Sequence, residues 1–174
     1  MRLFVAIEVP EGIRSAAAEA AAELKGRGVS LVSAERMHFT LVFMPSIDEP
    51  RLDSIRQVMA SVAVPETVVR LSGLACFGNP GAIYAEAREG SGTMADAADS
   101  LRRLLAEKRI FFDDKKFVPH MTVARIRQRV DANMLEEFID ANRGRDFGSF
   151  RIRGIALFGG ELGSRAPYAK LYER

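Results

Sequence analysis

Phe117-Val118-Pro119-His120-Met121-Thr122-Val123-Ala124-Arg125 has an earlier echo in Met37-His38-Phe39-Thr40-Leu41-Val42-Phe43. In both stretches a histidine is followed two residues later by threonine and then by an aliphatic residue, and the chain has no third histidine. The neighbours are largely apolar and β-branched, which favours extended backbone. On a strand, side chains two apart share a face. His38 and Thr40 therefore point one way, with Phe39 and Leu41 opposite; His120 and Thr122 stand in the same relation to Met121 and Val123. Each strand has one apolar face to bury and one that carries an imidazole beside a hydroxyl.

A single histidine near threonine on a strand is most often an ordinary half-buried residue. Repetition changes the balance. Threonine occurs only at 40, 67, 93 and 122, so both histidines meeting one at the same offset by chance is on the order of one in a thousand. Two imidazoles titrating at about 6.5 can supply an acid and a base near neutral pH. The two hydroxyls suit the non-bridging oxygens of a phosphate held between them.

This paired motif resembles the two-histidine phosphoesterase superfamily. The Phe-x-Pro-His-x-Thr-x-Ala-Arg form at 117–125 is similar to the RNA 2′,3′-cyclic phosphodiesterases, historically called 2′-5′ RNA ligases, and Arg2-Leu3-Phe4-Val5-Ala6-Ile7 is similar to that family's first strand. The resemblance implies an α+β fold of two pseudo-symmetric lobes, with antiparallel sheets lining a central cleft and helices outside. It implies a nucleotide or RNA end bearing a 2′,3′-cyclic phosphate as substrate, opened to a 2′-phosphate. By the same resemblance His38 donates a proton and His120 accepts one, Thr40 and Thr122 bind phosphoryl oxygens, and Phe43 and Arg125 meet the terminal base. The family's usual tryptophan is Leu31 here, its usual glycine after the first motif is Pro45, and its Ser-x-Leu pattern reads Gly160-Glu161-Leu162, with Tyr168 at a familiar distance.

Phe43 and Arg125 each lie five residues after their histidine. Strict alternation turns both away from the imidazole face unless the strand twists or bulges. Core packing for Phe43 and a surface charge for Arg125 are the competing readings.

The remaining elements follow from periodicity. Strands are expected at 2–9, 29–32 and 38–43, a hairpin at 67–87 around Gly78-Asn79-Pro80-Gly81, and strands at 147–158 and 167–172 with bends at Gly154, Gly159, Gly160 and Gly163. Helices are expected at 11–26, 50–62, 93–109 and 131–142. Two β-rich halves, each with one motif strand, suit a single two-lobed domain over 1–174.

The other sequence signals are negative or weak. No run of eighteen apolar residues marks a membrane span, and the apolar run before Pro10 is too short for a secretory signal. Cys76 is the only cysteine, so no internal disulfide is possible and the cytoplasm is the default compartment. No cluster has metal-ligand spacing, and neither a cofactor nor a metal is expected. A monomer is the default assembly. Residues 1–100 hold nine Lys/Arg against thirteen Asp/Glu, while 101–174 hold sixteen against ten. A field of that sign around the second motif could steer an RNA end. Related cyclic-nucleotide hydrolysis, 2′-5′ ligation and non-catalytic binding of RNA ends are the alternatives.

Overall fold

The computed structural model describes residues 1–160 and 168–174. In chain order the elements are β1 (Arg2–Glu8), α1 (Glu11–Ala22), β2 (Ser30–Leu31), β3 (His38–Met44), α2 (Leu52–Ser61), β4 (Thr67–Phe77) and β5 (Gly81–Glu89). They continue with α3 (Ser91–Glu107), β6 (His120–Ile126), α4 (Ala132–Asn142), β7 (Asp146–Ile152), β8 (Ala156–Gly160) and β9 (Ala169–Glu173). Residues 3 to 7 of β1 are buried without a break, the signature of a strand covered on both faces. It pairs antiparallel with β3 on one side and β8 on the other.

The strands run in the order β7-β4-β5-β6-β3-β1-β8-β9, with β2 laid along β6. Two four-stranded antiparallel arms meet where β3 touches β6, and that contact is the single register pair Phe39↔Met121. Both side chains are fully buried, which for a ring the size of Phe39 is worth about 1.5–3 kcal/mol. Beyond this pair the strands diverge and leave a cleft between the arms. Helices pack on the sheet from outside: α1 against β6 and β7, α4 against β4, and α3 against β3 with α2 beside it.

The arms are not the first and second halves of the chain. The hairpin β4–β5 joins the arm of the second motif through β5–β6 pairing, and the last strands, β8 and β9, return to β1 in the arm of the first. Cross-strand pairing decides this, and the motif positions alone do not contain it.

Most boundaries match the periodicity, with two differences. Helix α1 ends at Ala22 and the chain turns through Gly26 and Gly28. The stretch over 147–158, expected as strand with a bend at Gly154, is two strands in different arms, β7 and β8, broken at 153–155. At that crossing Ile155 exchanges both backbone hydrogen bonds with Arg174. A Cβ on Gly154 would stand 1.9 Å from the Arg174 carbonyl oxygen, so only glycine fits. Glu161, Leu162, Gly163 and Pro167, which figured in the sequence reading, lie outside the described residues. Among the described residues no helix is long and apolar enough to cross a membrane.

Candidate active site

The cleft between the arms has a volume of about 1230 Å³ and is lined by His38, Thr40, Phe43, His120, Thr122 and Arg125, with further residues from β1 and β2. All six side chains singled out by the motifs thus share one cavity. Phe43 and Arg125 reach it because both motif strands bulge at the same place. Against β1, Thr40 pairs with Ala6 and Val42 with Val5, so Leu41 is the extra residue. Against β5, Thr122 pairs with Tyr84 and Ala124 with Ile83, so Val123 is the extra one. The bulge puts two consecutive residues, Leu41-Val42 and Val123-Ala124, into the core. Alternation then resumes one position late, returning Phe43 and Arg125 to the histidine face.

Each histidine stands against an aromatic wall that the sequence reading did not identify. His38 stacks on Phe4 at 4.6 Å between centroids, with Phe158 behind it and Tyr168 edge-on at 5.7 Å. His120 meets Phe77 and Tyr84 edge-on at 5.2 and 5.6 Å, and those two rings stack on each other at 4.1 Å. The backbone fixes the tautomer. His120 Nδ1 lies 2.7 Å from the Val118 carbonyl oxygen, two residues upstream. A carbonyl only accepts, so Nδ1 carries the proton and Nε2 keeps its lone pair. His38 also has a backbone hydrogen bond two residues upstream, to Arg36.

Among the described residues, the charge in the cleft comes from Arg2, Arg36, Arg125 and Arg127. Two of these belong to the part of the chain with the acidic excess. The basic residues after 100 are mostly used elsewhere: Arg103 pairs with Glu107, Lys115 with Asp113, and Arg102 donates to the Lys115 carbonyl. Glu8 and Glu86 sit directly opposite His38 and His120 in the sheet register. Each is held by a cation, Lys170 at 2.7 Å and Arg88 at 2.8 Å. Arg36 also donates to the Tyr168 hydroxyl at 2.6 Å.

This setting pushes both imidazoles toward their neutral forms. Burial is the main cause at His38, with the Arg36, Arg125 and His120 charges adding to it against the Arg36 backbone bond, and it falls to about 4. Burial likewise lowers His120, with Arg125 adding to it against the Val118 bond. Replacing Arg125 with glutamine removes a charge that opposes protonation of both, so both titrations should move up in pH, toward but not past 6.5, because burial remains. NMR titration of the two imidazole C–H signals measures this; unmoved signals would remove Arg125 from the field at the site.

Cys76 lies outside this cleft, half-buried, with its thiol donating to the Gly78 carbonyl at 3.0 Å and raised in pKa by burial.

Comparison with known proteins agrees with the geometry. Residues 12–162 match the family model of the 2′-5′ RNA ligase superfamily. A protein of Archaeoglobus fulgidus named RNA 2′,3′-cyclic phosphodiesterase is 29% identical over 174 residues, covering 98% of this chain and 97% of its own. Its namesake from Methanocaldococcus jannaschii is 27% identical over 176 residues, covering 99% and 97%. The crystal structure of E. coli LigT complexed with 3′-AMP has the same fold, with a TM-score of 0.83 at 20% identity, over 99% of this chain and 96% of that one. With its family model matched along most of its length, the chain belongs to the 2′-5′ RNA ligase superfamily.

Proposed function

We propose that the protein hydrolyses RNA-terminal 2′,3′-cyclic phosphates to 2′-phosphates through a His38/His120 acid–base pair, without a metal ion. The observation that carries this is the convergence of two matched imidazole–hydroxyl pairs on one arginine-lined cleft. The names of the relatives from Archaeoglobus fulgidus and Methanocaldococcus jannaschii supply the substrate class.

The substrate phosphate lies between the two imidazoles. A water oxygen attacks phosphorus while His120 Nε2 takes the water proton. The bond from phosphorus to the ribose 3′ oxygen breaks, and that oxygen takes the proton carried by His38. The 2′ ester remains, giving a 2′-phosphate. Thr40 and Thr122 hold the non-bridging oxygens, and the arginines balance the charge that a divalent ion would otherwise meet. Ligation to a 2′-5′ linkage is the same displacement with a 5′ hydroxyl in place of water, and its reverse cleaves that linkage back to the cyclic phosphate. A module that only bound RNA ends would have no use for two matched imidazoles, each hydrogen-bonded to the backbone two residues upstream. On this reading residues 1–174 act as one two-lobed unit, which the interleaving of the arms along the chain supports, and as a monomer.

The test is turnover of a nucleoside 2′,3′-cyclic phosphate by the purified protein after exhaustive chelation. Activity should persist and the product should be the 2′-phosphate. Loss with EDTA and rescue by one divalent ion would contradict the metal-free step, and a 3′-phosphate product would contradict the bond assigned to break.

The pH dependence follows from the site. In the free protein both imidazoles titrate below 6.5, so both limbs of the bell in kcat/KM should lie on the acid side of it and the rate constant should fall as pH rises through neutrality. A bound phosphodiester anion favours imidazolium, so the limbs of kcat should sit at higher pH than those of kcat/KM. Coincident limbs would show that the anion does not lie between the histidines.

A further inference from the structure

Beside the cleft is a second groove, of about 600 Å³, lined among others by Phe43, Pro45, Arg109, Phe111, Asp113 and Asp114. Phe43 lines both cavities and is the wall between them. At the groove's edge Phe111 is 69% exposed, more than any other large apolar side chain among the described residues. Its backbone neighbourhood is fixed. The Ile110 amide donates to the Leu105 carbonyl and the Asp113 amide to the Phe43 carbonyl at 2.8 Å, which ties this loop to the motif strand. Phe112 is half-buried beneath the Arg102 guanidinium at 6.0 Å. An aromatic ring held rigidly in water forgoes the stabilisation that burial would give it.

The charges narrow the occupant. Arg2 lies over the Phe43 ring at 5.5 Å, between cleft and groove, and Arg109 lines the groove itself. Arg109 holds a left-handed backbone, φ 53°, just past the end of α3, where glycine is the less strained choice. Asp113 is paired with Lys115 at 3.1 Å, and Asp114 adds a negative charge to the lining. A ligand that suits this has an uncharged flat face toward Phe111 and an anion on the side of Arg2 and Arg109. It must also be continuous with whatever fills the cleft.

We infer that the groove takes the base of the penultimate nucleotide of a single-stranded RNA end, stacked on Phe111. The phosphate joining it to the terminal nucleotide then passes between Arg2 and Arg109. This rests on the reading of the cleft as the site of the terminal cyclic phosphate. Ring stacking tolerates any base, so the groove favours length over sequence. Its contribution is also distinct from the general attraction of basic residues, since stacking on an uncharged ring does not weaken with salt.

The experiment compares a 2′,3′-cyclic mononucleotide with a dinucleotide ending in the same group, in the wild type, Phe111→Ala and Phe111→Trp. Phe111→Ala should lower kcat/KM for the dinucleotide by about five- to a hundredfold, the range for losing one base–aromatic stack, through KM and without change for the mononucleotide. Phe111→Trp should retain the dinucleotide advantage at both low and high salt. In parallel, calorimetry gives Kd for the 2′-phosphorylated mononucleotide and dinucleotide. Dinucleotide binding that depends on Phe111 would support the groove even if neither cyclic substrate were turned over, a result that would count against the catalytic reading alone. Equal effects on mononucleotide and dinucleotide would overturn the groove assignment and leave the catalytic one standing. So would equal wild-type binding of a dinucleotide lacking the penultimate base.

Discussion

His38→Ala and His120→Ala should each lower kcat/KM for a 2′,3′-cyclic nucleotide by about a hundred- to ten-thousandfold, the range for losing a positioned general acid or base. The double replacement should be little worse than either single one. A proton donor without an acceptor, or the reverse, leaves the same crippled step, so the two losses do not add. Folding is a fair concern at His38, which stacks on Phe4 and lies beside Phe158 and Tyr168. His38→Gln keeps more of the volume, and it should be as inactive as alanine. Binding of a 2′-phosphorylated product should fall less than the rate, because the threonines and arginines of the cleft remain. Wild-type turnover by either single variant would remove the paired-histidine mechanism.

The hydroxyls come next in size. Thr40→Ala or Thr122→Ala should each slow turnover by about ten- to a thousandfold, because a donor aimed at the phosphoryl oxygens gains strength as negative charge accumulates there. Their effect should fall on kcat more than on KM. Thr→Ser, which keeps the hydroxyl, should recover most of the loss. Thr→Val, which keeps the shape, should not. Both threonines are half-buried on the cleft face, opposite Ala6 and Tyr84 in the neighbouring strands. If the double alanine variant ran at the wild-type rate, the hydroxyls would be packing groups only.

What could be read from the sequence divides along physical lines. The imidazole and hydroxyl of each motif are two residues apart, and the period of a strand places them on one face without reference to anything distant. The same is true of the four helices, whose buried stripes are local properties of their sequences. Phe43 and Arg125 depended on a bulge, and a bulge is a relation between two strands: Leu41 and Val123 are extra only when counted against β1 and β5. Arg2 and Arg36 were invisible as cleft residues because nothing local distinguishes them from other surface arginines. The charge contrast between residues 1–100 and 101–174 pointed to the second motif, yet among the described residues the cleft draws two arginines from each part. The aromatic walls were hidden for the same reason. Phe4 faces His38, and Tyr84 faces His120, only once β1 lies beside β3 and β5 beside β6. The break at 153–155 reflects the path between arms, which local alternation does not record.

The site has an unusual electrostatic starting point for acid–base work. A proton donor that titrates at about 4 in the free protein is neutral at physiological pH. The arginines that attract the substrate are also among the charges that keep it so. On this account the substrate supplies the missing condition: an anion lodged between the imidazoles raises both, and charges the donor only when there is something to donate to. Glu8 and Glu86 could do the same from the neighbouring strands, but Lys170 and Arg88 hold their carboxylates. The resting site thus stays neutral at its two histidines and positive around them.

The division of labour between those histidines is open to one direct measurement. A 3′-deoxynucleoside 2′-(4-nitrophenyl) phosphate offers phosphorus a leaving group that departs without a proton, and it has no neighbouring hydroxyl to cyclise. On this substrate water must still be deprotonated, but no acid is needed. The release of nitrophenolate by His38→Ala should therefore approach the wild-type rate, while His120→Ala stays as slow as it is on the cyclic phosphate. Rescue of His120→Ala instead would reverse the two roles, and rescue of neither, with both variants folded and binding product, would contradict the assignment of one histidine as acid and the other as base.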